Sequence, residues 1–125
     1  MGTGVIYRGS KMLKEHRFRT SCERLSGEVL LTRNLALTYQ IDIDLVLEQK
    51  GSKVYLLRKT DFIPEGLKGV FNGVVFAGIA FKEKDGAEEF HFYGNGWVDG
   101  EEKVVFFVPK DSKKQYNLWV KRVSL

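Results

Sequence analysis

The sequence predicts an α+β fold, in which one long N-terminal α-helix packs on antiparallel β-sheet of about six strands. Two observations lead to this prediction. Up to about Leu37 the apolar residues recur every three or four positions, as in a helix with one buried side. From Ile41 they recur at every second position, as in a half-buried strand. The length of 125 residues fits one domain, so we assign 1–125 to a single domain.

The first element is a helix, which we expect over residues 5–38. Its predicted helix–sheet packing residues share one narrow arc of the helical wheel, and they are Phe18, Cys22, Leu25, Val29 and Ala36. From Val29 to Leu37 apolar residues occur on almost every side, which predicts that this half of the helix is enclosed. We therefore expect residues 25–37 to pack on the sheet and the preceding part to protrude as a stem.

The net charge of +4 is concentrated in the stem. Residues 1–24 contain six basic side chains and two acidic ones, and the rest of the chain contains fourteen of each sign. A basic helix can face a nucleic acid, a membrane surface or an acidic partner, although an ordinary solvated helix face has the same composition. The residues that we assign to an assembly surface on the stem are Arg8, Lys11, Lys14, Arg17 and Arg19.

The remaining segment, 39–125, is predicted to form a β-rich globular body. Its first strand runs from Ile41 to Glu48, with alternate residues apolar. Turn-forming residues separate it from five further predicted strands, at 53–58, 74–81, 89–93, 103–108 and 115–123.

No catalytic or metal-binding pattern stands out in the sequence. The single cysteine lies on the apolar helix stripe, and the two histidines, His16 and His91, do not share a metal-ligand spacing. Asp42 and Asp44 point to the same side of the first predicted strand, but no histidine or third carboxylate lies near them in the sequence. We assign these two carboxylates to the solvated face of the strand, and we predict no enzyme activity, cofactor or metal.

Two segments carry a resemblance to a known family. The first contains Arg24–Leu25, Leu31, Arg33–Asn34 and Leu35–Ala36, and continues through the predicted 41–57 hairpin as ERLSGEVLLTRNLALTYQIDIDLVLEQKGSKVYLL. The second is FHFYGNGWVDG, residues 90–100. In these features the chain resembles the GspH/FimT family, which comprises minor pseudopilins of type II secretion and related type IV pilin-like proteins.

The resemblance implies a structural subunit of a pseudopilus or pilus-like filament, which supports protein secretion by assembling with other pseudopilins or pilins. Family members have a methylated N-terminus and an apolar helix that holds them in the bacterial inner membrane, with the body facing the periplasm. The printed sequence contains no such segment, and we expect that it has been removed. Residues 5–24 would then be the middle of a longer helix.

The sequence also fits two alternative functions. A FimT-like pilin would bind DNA during uptake, and the candidate contacts are Lys113, Lys114, Lys121 and Arg122. A small β-rich ligand-binding domain would instead require a concave apolar pocket with a few converging polar groups.

Overall fold

The computed structural model describes the backbone of residues 3–120 and, within that range, all side chains except those of 3–11 and 112. The predicted α+β class is confirmed. The elements are α1 (Thr3–Tyr39), β1 (Ile43–Lys50), β2 (Lys53–Lys59), a 3-10 turn (Lys68–Phe71), β3 (Val74–Ala77), β4 (Gly86–Phe92), β5 (Val98–Asp99), β6 (Lys103–Val108) and β7 (Asp111–Trp119).

The strands form two antiparallel sheets. The larger has the order β3-β2-β1-β4-β5, with β1 at its centre, and the smaller is the β6–β7 hairpin. A bridge between Ala80 and Phe107 connects the smaller sheet to the loop that follows β3. Helix α1 contacts strands of both sheets, and side chains from the helix and from both sheets form one common core.

The core lies between α1 and the inward side chains of the strands. All five residues of the predicted stripe, Phe18, Cys22, Leu25, Val29 and Ala36, are at most 7% exposed. Alternation along β1 and β2 supplies the facing layer, which includes Leu45, Leu47, Val54 and Leu56. Phenylalanines from β3, β4 and β6 complete the core, and they are Phe76, Phe90, Phe92 and Phe106.

The packed part of α1 begins earlier than residue 25, and its C-terminal half is not enclosed. Phe18 is buried, and the Ser21 hydroxyl donates a hydrogen bond of 2.8 Å to the carbonyl oxygen of Ala77. Leu30, Leu31 and Leu37, in contrast, are 56%, 38% and 41% exposed. The expected enclosure from Val29 to Leu37 is therefore wrong, because both sheets pack on the same side of the helix.

The helix passes into the first strand through a left-handed residue. Gln40 has φ +54°, and the Ile41 amide donates to the Ala36 carbonyl at 3.1 Å, which is the six-to-one hydrogen bond of a Schellman ending. The strand consequently begins at Ile43 and not, as the alternation predicts, at Ile41. Asp42 lies outside the strand, where its Oδ1 accepts the Gly94 amide.

A buried arginine joins the helix to the larger sheet. Arg58 points inward from β2 and is 3% exposed. Its Nε donates to Thr32 Oγ1 at 2.7 Å, and its terminal nitrogens donate to the carbonyls of Val70 and Glu28 at 2.9 and 2.8 Å and to the Glu28 carboxylate. These bonds fix the position of α1 along β2 and satisfy the guanidinium inside the core.

Candidate assembly surface

The side of α1 that faces away from the sheets carries exposed leucines at its edges and polar residues, including Thr20, Glu23 and Asn34, between them. Leu13 is 68% exposed and belongs to the same helix side as Gly27 and Leu31, one half-turn from the buried stripe. Leu30 and Leu37 flank this side. We call Leu13, Leu30, Leu31 and Leu37 the outer leucines. Leu30, Leu31 and Leu37 lie within about two turns of one another, whereas Leu13 lies more than four turns away toward the N-terminus.

The five predicted stem residues do not share one environment. Arg8 and Lys11 belong to α1, but their side chains lie outside the described part of the structure. Lys14, Arg17 and Arg19 are exposed. Arg17 nevertheless contacts the body at Gly78. Its Cδ atom lies so close to this glycine that the Cβ atom of any larger residue at position 78 would be only 2.9 Å away. Among the residues of this group with described side chains, Lys14 and Arg19 are exposed, with Lys14 one turn before the buried Phe18.

Cys22 has the environment of a core residue. It is 1% exposed, and its pKa is raised from 9.0 to about 12, first because of burial and second because of the nearby Glu23 carboxylate. The reactive thiolate form is therefore strongly disfavoured at neutral pH.

The predicted nucleic-acid contacts are not gathered into one described surface. Lys113 and Lys114 are exposed near the start of β7. The exposed aromatic Trp119 lies at the other end of that strand, roughly 20 Å away at about 3.3 Å per residue. Lys103 sits over its ring with Nζ 5.2 Å from the centroid. Lys121 and Arg122 lie outside the described residues.

A cleft beside Gln49 differs from the apolar pocket that a ligand-binding domain would require. It has a volume of about 600 Å³, and its lining includes the charged side chains of Lys82, Glu83, Asp85 and Lys110. Gln49 is buried at its edge, where its amide bonds to the backbone of Phe81 and Lys82. Among the side chains that the structure describes, no buried nitrogen or oxygen lacks a hydrogen-bond partner.

Strand pairing brings together one polar group that sequence spacing did not reveal. His91 on β4 is directly opposite Asp44 on β1, and its Nδ1 lies 2.5 Å from Asp44 Oδ1. This hydrogen bond is the main reason why the pKa of His91 is raised. Glu89 lies two residues before His91 on the same face of β4. Asp44 thus has a histidine and a second carboxylate nearby in space, although both are more than forty positions away in the sequence.

Comparisons with known proteins do not identify a family: no protein-family model, curated protein or solved structure matches this chain. Within the described residues, no helix contains a stretch that is both long and apolar enough to span a membrane.

Proposed function

We propose that this protein is a structural subunit of a pilin-like filament, of the type that supports type II secretion, and that α1 is its main assembly element. The observation that carries the proposal is the exposure of the four outer leucines on α1, all of which lie outside its buried stripe. A helix that is held on one side by a core and exposes leucines on its other sides has apolar surface available to pack against further helices.

The energetics favour such packing. Full burial of an exposed leucine side chain contributes roughly 1.5–3 kcal/mol, so partial burial of four outer leucines supplies several kcal/mol toward the cost of association. Lys14 and Arg19 lie along the same helix and would meet acidic or polar groups of a neighbour. Such charges affect the rate and orientation of association more than its strength.

The proposed partners are other pseudopilins or pilins, and the proposed location is the bacterial inner membrane, with the body on the periplasmic side. These assignments rest on the resemblance of residues 24–57 and 90–100 to the GspH/FimT family. In this proposal the body contributes shape and contacts, and requires no catalytic group or small-molecule substrate.

A pair of matched substitutions tests the proposal. Leu31→Glu places a charge on the outer side of α1, whereas Leu57→Glu places the same charge on the outer face of the sheet, and the two leucines are 38% and 39% exposed. Both variants should melt close to the parent because neither side chain belongs to the core. In cells that depend on this protein, Leu31→Glu should reduce secretion and co-isolation with partner pilins, and Leu57→Glu should have a smaller effect.

Two outcomes would contradict the proposal. If both folded variants support secretion and co-isolation at the parental level, the outer side of α1 is not an assembly surface. If Leu57→Glu alone abolishes them, the sheet and not the helix forms the principal contact.

A further inference from the structure

The outer face of the larger sheet carries a compact group of three potential metal ligands. Asp44, Glu89 and His91 each offer one oxygen or nitrogen atom, and these three atoms all lie within 4.8 Å of one another. Asp44 on β1 faces His91 on β4, and Glu89 lies two positions before His91 on β4. Because β1 is the central strand and β4 its hydrogen-bonded neighbour, the backbone positions of all three are fixed by the sheet.

Small movements of the three atoms would bring them to metal-ligand distances, with the 2.5 Å hydrogen bond between Asp44 and His91 replaced by bonds to the ion. Atoms at most 4.8 Å apart have a common centre that lies within about 2.8 Å of each, and zinc requires ligand distances of about 2.0–2.2 Å. Each ligand atom therefore needs to move by less than about 1 Å. Asp44 and His91 are 45% and 40% exposed, so their side chains can rotate by this amount without disturbing the core.

The chemistry of the ligands indicates a transition metal. Calcium and magnesium prefer a shell composed of oxygen atoms, whereas one imidazole and two carboxylates form a ligand set that suits zinc. The Glu89 carboxylate makes no hydrogen bond or ion pair with any described residue, so its binding to a metal would not break an existing contact. The imidazole distinguishes this group from an ordinary acidic patch on a protein surface.

Neighbouring charged side chains make the electrostatic potential at this group of ligands more negative overall. Asp99 on β5 pairs with His91 across the sheet, and Asp99 therefore places a further negative charge on the same face. Lys59 on β2 pairs with Asp44 from the opposite side and supplies an opposing positive charge. The acidic groups, Asp44, Glu89 and Asp99, outnumber this single lysine.

We propose that Asp44, Glu89 and His91 bind one divalent transition-metal ion, with zinc the best-suited ion, on the outer face of the β1–β4 pair. Three protein ligands leave the fourth position of a tetrahedral zinc ion open to water or to a side chain of another molecule. The site lies on the sheet and not on α1, so it is independent of the proposed helix assembly surface.

The binding experiment uses untagged protein from which metal ions have been removed with a chelator. This protein is titrated with ZnCl₂ in a calorimeter. The parent should bind one ion per chain. Asp44→Asn, Glu89→Gln and His91→Gln should each weaken binding at least tenfold, since each removes a direct ligand, and the loss of even an outer-shell partner typically costs about 10–100-fold. Glu48→Gln is the matched control, because Glu48 lies on the outer face of β1 without belonging to the group, and its affinity should change less than twofold.

Nuclear magnetic resonance distinguishes this site from incidental binding to the other histidine. The chain contains only two histidines, His16 and His91, so its spectrum of imidazole nitrogens contains two side chains to assign. Zinc should shift the ring nitrogens of His91 and leave those of His16 unchanged, and His16→Gln provides the assignment.

The results decide the proposal in either direction. Saturable binding that is lost in the three ligand variants, together with a shift of His91, supports the site. The absence of saturable zinc binding in the parent overturns it, and so does binding that persists in folded His91→Gln or that shifts His16 instead. Thermal melts of all variants show whether any loss reflects unfolding.

Discussion

The buried arginine on β2 gives a sharp prediction about stability. Arg58→Met removes the guanidinium but retains an unbranched apolar side chain of similar reach. The change breaks the ion pair with Glu28 and leaves the Val70 carbonyl without its side-chain donor, whereas Thr32 Oγ1 still bonds to the Glu28 carbonyl. Removing one partner of a fully buried pair costs about 3–5 kcal/mol. Because the Glu28 side chain is 29% exposed and can regain water, we expect a loss of about 2–4 kcal/mol.

This contribution is measured by urea unfolding of four proteins: the parent, Arg58→Met, Glu28→Gln and the double variant. Glu28→Gln should cost about 1–2 kcal/mol, since Gln can still accept a hydrogen bond but carries no charge. The double variant should be more stable than the sum of the single losses predicts, by at least about 1 kcal/mol, because the two residues interact directly. Lys59→Met is the matched control on the next, exposed position and should change stability by less than about 0.5 kcal/mol. An Arg58→Met variant as stable as the control would refute the role of Arg58 in holding the helix.

Three further predictions follow from individual residues. Gln40→Gly should stabilise the domain by about 0.5–1 kcal/mol in urea unfolding, because glycine adopts φ +54° without a steric penalty; a destabilised variant would show that the Gln40 side chain matters more than its backbone. The raised pKa of Cys22, about 12 against 9.0, predicts about a thousandfold smaller thiolate fraction in the folded protein at neutral pH, and a stability that is intact below pH 9 and declines as pH rises toward 12. Thiol labelling as fast in buffer as in denaturant would contradict this. Reversal of Lys14 and Arg19 to Glu should leave the thermal melt unchanged but weaken partner binding at low salt more than at high salt; equal binding at both would exclude these charges from assembly.

Periodicity predicted the main elements well where one face was buried and the other solvated. The helix stripe from Phe18 to Ala36 and the alternation of β1 were both evident, because burial on a single side produces a regular spacing. The two-residue strand β5 was missed, since it is too short for any pattern. The strand predicted at 74–81 ends at Ala77, because Gly78 adopts φ +72° and turns the chain.

Features that depend on pairing between distant strands could not be predicted from local spacing. Arg58 occupies an inward position of β2 where the alternation would otherwise place an apolar residue. This is a local signal of a buried polar contact. Its partners on α1, however, are 26 and 30 positions away in the sequence. The proximity of Asp44 and His91 depends on the register of β1 and β4, with 47 positions between them. The exposure of the outer leucines depends on both sheets packing on one side of α1, and the helical wheel alone does not contain this information.

The most direct test of the central claim is to ask what contacts the outer side of α1 in the cell. A photoreactive benzoylphenylalanine at position 31 in the native gene product reports neighbours of the helix, and the same group at position 57 reports neighbours of the sheet at equal exposure. The proposed assembly predicts crosslinks from position 31 to the helices of other pilin-like subunits, identified by mass spectrometry, with few from position 57. A position 31 that stays uncrosslinked in secreting cells, or that crosslinks only to proteins without pilin-like helices, would contradict the proposed function.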